Sequence, residues 1–187
     1  MSKSPQGAPS VNLLAVDTAT EGCSAACLTG DKSFERYAVD PQGHSRTLLG
    51  MVEAVLAEAR LERSALDALA YDAGPGSFTG IRIGAGVAQG LALGLEKPLL
   101  AVSSLMTLAE GVRREQPGCN SVLAAIDARM DQVYWARLES DPEAPGHWRW
   151  DEMPCVSEPR EVAVHISGCT GVGSGWDRYS DVFMGDR

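Results

Sequence analysis

The sequence predicts an α/β protein built from two β-β-β-α-β-α units, the second C-terminally truncated. Three observations carry that expectation. Apolar runs of strand length alternate with longer stretches of helical periodicity. Val11–Val16 is an apolar run, broken only by Asn12, that closes on Asp17. The chain then begins again: Leu14-Ala-Val-Asp17-Thr-Ala is echoed by Ala124-Ala-Ile-Asp127-Ala-Arg, each an apolar strand ending in aspartate.

The elements follow in order. Val11–Val16 reads as a buried strand, Thr18–Gly22 as a turn, Cys23–Thr29 as a second strand and Ser33–Val39 as a third. Pro41-Gln-Gly43 breaks the chain. A helix over Ser45–Arg60 places Leu48, Val52, Val55 and Ala59 on one stripe, widened by Leu49, Met51 and Leu56. Ala68–Asp72 is a short strand and Gly74–Ser77 a tight turn. Thr79–Gly94 is a second helix, stopped by Lys97-Pro98. Leu99–Val102 and Ser103–Arg114 add a strand and a helix. In the second unit Gln132–Leu138 is the return strand and Trp148–Met153 a third. A short helix after Pro159 and a strand near Thr170–Val172 follow, and nothing is left for a final helix.

The division expected is a loose tail over 1–10, a first subdomain over 11–102 and an incomplete second over 103–187. Two such units face to face form the actin, Hsp70 and sugar-kinase (ASKHA) architecture, with a nucleotide in the cleft. That likeness is topological and by itself says nothing about activity.

The composition of 187 residues, 44% hydrophobic and 22% charged, is ordinary for a globular chain. A net charge of −9 repels phosphate backbones, so no direct nucleic-acid binding is expected and any link to nucleic acid runs through a basic partner. The five cysteines form no CxxC pair and no zinc spacing, which fits reduced thiols in the cytoplasm. Cys23 and Cys27 fall on one face of a strand and suit core packing. Residues 1–10 lack the apolar run of a signal peptide, so no secretory leader is expected. The most membrane-like run, Ile81–Leu95, is interrupted by Arg82 and Gln89 and is short of the roughly 20 residues a bilayer needs, so no membrane association is expected.

Two loops could carry chemistry. In Asp17-Thr18-Ala-Thr20 an aspartate can hold a magnesium ion through water while hydroxyls and turn amides meet phosphoryl oxygens. The same residue types are also common in plain turns. In Gly74-Pro-Gly76-Ser77-Phe-Thr-Gly80-Ile-Arg82 the glycines permit close backbone approach, and Ser77 or Thr79 can cap the next helix, whose free amides favour an anion. The loop is neither a Walker A sequence nor a GxGxxG fingerprint. Structural turn and anion site fit these residues equally. Gly80, Gly84, Gly86, Gly90 and Gly94 then punctuate a helix whose interior glycines each cost roughly 0.5–1 kcal/mol against alanine. They call for a close approach, either within the subunit or by another subunit.

His44, His147 and His165 form no HxxxH or HExxH pair, and no Ser/His/Asp or Cys/His set presents itself. His44 reads as a solvated residue or a cap contact. The Asp127-Ala-Arg129 turn lacks the glycine and hydroxyl residues of a second phosphate loop.

The segments LLAVDTATEGCSAA, LDALAYDAGPGSFTGIRIGAGVAQGLALGLEKPLLAVSSLMTLAEG and VLAAIDARMDQVYWA resemble the bacterial TsaB (YeaZ) family, over roughly Val11 to Trp176. The resemblance implies an actin-like fold and a non-catalytic role in threonylcarbamoyladenosine (t6A) modification of tRNA. By it the partners are the catalytic paralogue TsaD and the ATPase TsaE, with TsaC supplying the threonylcarbamoyl-adenylate and a homodimer forming when the chain is alone. TsaD carries an HxxxH metal pair on the helix after the strand matching Leu99–Val102. Ser104 and Leu108 stand at those positions here, and a serine and a leucine hold no metal ion. No cofactor is required on this reading, and ATP or ADP would bind weakly through Asp17, Thr18, Thr20, Gly74, Gly76 and Ser77. The partner face is expected at Leu48, Leu49, Val52, Ile83, Val87 and Leu91. Family members usually continue past residue 187, hence the expected truncation. The alternative is an actin-like ATPase or phosphotransferase using Asp17. The glycoprotease label attached to the wider family finds no metal pair or triad in this sequence.

Overall fold

The computed structural model describes residues 11–39 and 43–185, so the tail over 1–10 and most of the Pro41–Gly43 break lie outside the described residues. It divides into two compact units, one within Met1–Asp72 and Ser77–Ala101, the other within Ala73–Gly76 and Val102–Arg187. The second unit thus takes up the Gly74–Gly76 segment as well as the chain after Ala101.

In the first unit β1 (Asn12–Asp17), β2 (Gly22–Thr29) and β3 (Lys32–Val39) form an antiparallel meander. Helix α1 (His44–Ala59) leads to β4 (Ala68–Asp72), then α2 (Phe78–Leu95) and β5 (Leu99–Val102). The sheet order is β3-β2-β1-β4-β5, with β1 parallel to β4. Alternation along β2 turns Cys23, Ala25 and Cys27 to the core, where Leu14, Val16, Leu48, Val52, Val55 and Leu69 meet them. Burial pushes the Cys27 thiol up, away from thiolate chemistry. Both helices end on a non-glycine left-handed residue, Arg60 and Glu96, each at φ 53°.

In the second unit α3 (Ser104–Glu115) precedes β6 (Ser121–Arg129), β7 (Gln132–Ser140) and β8 (Trp148–Ser157). The short α4 (Pro159–Val162), β9 (Thr170–Val172) and α5 (Ser174–Met184) follow. The order is β8-β7-β6-β9, with β6 parallel to β9. Leu105, Val122, Ala124 and Leu138 fill one face of this sheet, and Leu123, Ala125, Val133 and Trp135 the other.

Helix α5 corrects the expectation that no final helix remained. Trp176, Tyr179 and Phe183 fall on one side of it and pack on Leu123 and Ala125, with the Trp176 and Phe183 rings 4.9 Å apart. Few aliphatic residues mark the segment, its Gly-Ser-Gly start reads as loop, and the backbone kinks at Tyr179 (φ −122°, ψ 23°). The periodicity is therefore carried by three aromatics alone.

Candidate functional site

In the first unit the β1–β2 turn is stapled to the start of α2. The Asp17 carboxylate accepts from the Ala19 amide at 2.7 Å. Thr18, only 1% exposed, donates its hydroxyl to the Gly80 carbonyl at 2.7 Å. Ser77 caps α2 by accepting from the Gly80 amide, and its own amide donates to the Ala19 carbonyl at 2.6 Å. Thr20 is exposed and accepts from the Gly22 amide.

Two α2 glycines make this closeness possible. A Cβ on Gly80 would strike the Thr18 carbonyl, and one on Gly84 would lie 2.6 Å from the Thr18 hydroxyl oxygen. The Thr18 hydroxyl, expected to face a phosphate, is buried and committed to the helix. His44 is likewise not solvated: it is 3% exposed, and its Nε2 lies 3.4 Å from the Glu21 carbonyl.

Burial is the largest influence on Asp17 and raises its pKa, while the Ala19 amide and the charge of His44 pull it down. A raised carboxyl pKa means stability that is full below about pH 4 and lost as pH rises through the folded value. Asp17→Asn keeps an acceptor for Ala19 without the charge. Its expected thermal melt at pH 7 lies slightly above the parent's, and the difference vanishes below about pH 4.

Gly74 and Gly76 group with the second unit. Gly74 sits at φ 92°, where glycine is favoured, and its carbonyl accepts from the Ser104 amide at 3.0 Å. Ser104 is buried, and Leu108, one turn on, packs in the core of that unit.

The second unit repeats the staple in different residues. Asp127 accepts from the Arg129 amide at 3.0 Å, as Asp17 does from Ala19. Its own amide donates to the Ser174 hydroxyl, and its other carboxylate oxygen is 3.1 Å from Arg178. Gly173 (φ 101°) and Gly175 bring α5 against Ala125, as Gly80 and Gly84 bring α2 against Thr18. The glycine and hydroxyl residues found wanting beside Asp127 are therefore present, 46 residues downstream at Gly173-Ser174-Gly175. The signal was the glycine-serine-glycine run Gly173-Ser174-Gly175 before an aromatic stripe.

Of the expected partner face, Leu48 and Val52 must be withdrawn. They are 0% and 2% exposed, sealed in the core of their own unit. Leu49 remains open at 49%. Ile83, Val87 and Leu91 are half-buried, with Val87 and Leu91 leaning on the core. The solvent side of α2 carries Phe78, Arg82, Gly86, Gly90 and Leu93 instead. A Cβ on Gly86, Gly90 or Gly94 would meet no atom within 4 Å. The Arg82 guanidinium lies 3.3 Å over the Phe78 ring. By length and composition alone α2 could cross a membrane, with a mean hydropathy of 1.2 over 18 residues. Here Gly80, Gly84, Ala88 and Ala92 bury its inner side in the unit.

Two β-β-β-α-β-α units, each with an aspartate hairpin stapled to a glycine-bearing helix, define an α/β protein of the actin-like class. The family model described as TsaD, tRNA N6-adenosine threonylcarbamoyltransferase, matches residues 39–144. The tRNA threonylcarbamoyladenosine biosynthesis protein TsaB of Escherichia coli is 43% identical over 176 residues, covering 92% of this chain and 75% of the relative. The TsaB of Haemophilus influenzae is 37% identical, covering 91% and 75%. The solved structure of YeaZ from Pseudomonas aeruginosa superposes with a TM-score of 0.83 at 43% identity, covering 95% of this chain and 81% of that one. The chain belongs to the TsaB (YeaZ) family.

Proposed function

We propose that this chain is a non-catalytic accessory subunit that pairs with a TsaD-type threonylcarbamoyltransferase in t6A modification of tRNA. The observation that carries the reading is the free side of α2. Gly86, Gly90 and Gly94 weaken a helix without serving any close contact among the described residues, and Phe78 and Leu93 stand 73% and 82% exposed beside them. Such a face suits close helix-to-helix docking. A TsaE-type ATPase joins the pair, and the same face closes a homodimer when the chain is alone. The location is the cytoplasm.

No cofactor is required on this reading, and ATP or ADP binds weakly at most. The committed Thr18 hydroxyl and the desolvated Asp17 support that view over an ATPase using Asp17.

The test is reconstitution of tRNA modification with and without this chain. Leu93→Asp and Gly90→Leu should weaken association with the transferase by about tenfold or more, since hot-spot losses run to 2 kcal/mol and above. Both sites are solvent-facing, so circular dichroism should be unchanged. Full-rate modification by the transferase alone would sink the proposal.

A further inference from the structure

The two sheets carry the same apolar floor, and only one of them has it covered. In the second unit Val122 pairs with Leu138, and two residues on Ala124 pairs with Ala136. All four are 0% exposed, because α3 lays Leu105, Ala109 and Val112 over them. In the first unit Leu13 pairs with Leu28, and two residues on Ala15 pairs with Ala26. These side chains point away from α1 and α2, which pack on Leu14, Val16, Cys23 and Cys27. Leu13, Ala15 and Ala26 are only half-buried, and Leu28 is 39% exposed. Tyr37 on β3 and Leu100 on β5 extend the strip to either side, both well exposed.

A sheet that is apolar on both sides needs a layer on each. The described helices bury their stripes elsewhere: α1 and α2 on the opposite side, α3, α4 and α5 in the second unit. Residues 1–10 carry two prolines and no apolar stripe. Chain order points to a source. Helix α3 follows β5, the last strand of the first sheet, and belongs to the second unit. The second unit repeats the order of the first as far as α5, which places a counterpart of α3 further along the chain. The TsaB of Escherichia coli is matched over 75% of its length, and the remainder is ample for a 12-residue helix like α3.

We infer that the Leu13, Ala15, Ala26 and Leu28 floor is the seat of an amphipathic helix supplied by the chain beyond Arg187. Its apolar residues fall at the i, i+4, i+7 spacing of Leu105, Ala109 and Val112. The helix covers the first sheet as α3 covers the second. This inference does not rest on the docking of α2.

The test fuses, after Arg187, the part of Escherichia coli TsaB that follows its match. Urea unfolding then compares Leu28→Lys in the 187-residue chain and in the fusion. In the shorter chain the lysine keeps its ammonium in water, so the folding equilibrium should change by no more than about twofold. In the fusion it should fall by about tenfold or more, since a buried leucine is lost and an ammonium takes its place. The Leu28 methyl resonances should also shift between the two parent chains. Should the fusion fail to fold, Escherichia coli TsaB itself, whole and cut at the position of Arg187, carries the same comparison at the position of Leu28. An equal effect of the substitution in both chains, or Leu28 methyls that shift only when a TsaD-type transferase is added, would overturn the inference.

Discussion

Replacing Gly80 by alanine is expected to destabilise the protein by about 3 kcal/mol, the upper end for a residue forced into a packed site. The new Cβ would strike the Thr18 carbonyl, which is backbone and cannot rotate away. Relief requires α2 to lift from the β1–β2 turn. That movement breaks the 2.7 Å bond from Thr18 to the Gly80 carbonyl and leaves a buried hydroxyl unpaired. For a chain of this size the melting temperature should fall by roughly 6–12 °C. Gly90→Ala is the matched control. It meets no atom within 4 Å, so it should gain roughly 0.5–1 kcal/mol of helix propensity. Thermal melts of the two variants should move in opposite directions; if Gly80→Ala melts like the parent, the staple is misplaced.

Leu48→Asp is the other large effect expected, and it concerns folding rather than docking. Leu48 is fully buried in an apolar cluster with Leu14, Val52 and Leu69. Losing the apolar contacts costs about 2–5 kcal/mol, as for Leu→Ala, and an unpaired buried charge adds to it. Such a loss consumes much of the 5–15 kcal/mol that holds a typical domain folded. Leu49→Asp, one residue on but half exposed, should stay within about 0.5 kcal/mol of the parent. Urea unfolding separates the two cases. A Leu48→Asp protein with an unchanged midpoint would show that the α1 core is wrongly assigned.

Leu48 also marks where the sequence was legible and where it was not. Its helix was readable to within a residue, because the stripe Leu48, Val52, Val55, Ala59 has helical period and the flanking Gly43 and Arg60 end it. Periodicity says which side of a helix is apolar; it does not say whether the helix's own sheet or another chain covers it. On that ground alone Leu48 and Val52 suit a partner, yet they lie in one core cluster with Cys23, Ala25 and Cys27 of β2. The glycines of α2 pose the same difficulty. An interval of four is uniform in sequence, yet in space Gly80 and Gly84 meet Thr18 while Gly86 and Gly90 meet nothing. The direction from which a neighbour arrives is a tertiary fact. Helix α5 was missed for a different reason, since three aromatics in an otherwise polar stretch give a stripe too sparse to rank above loop.

The paired contacts Asp17 to Ala19 and Asp127 to Arg129 bear on how such chains are read by ancestry. Each aspartate closes its own turn two residues on, a task that local geometry alone rewards. Two aspartates in matching places therefore need no shared chemistry to account for them, since the turn itself gives each carboxylate a partner. A motif that counts these two aspartates as a nucleotide signature rests on residues that also serve as plain turn closers. Beside the first of them, Thr18 turns its hydroxyl inward to hold a helix.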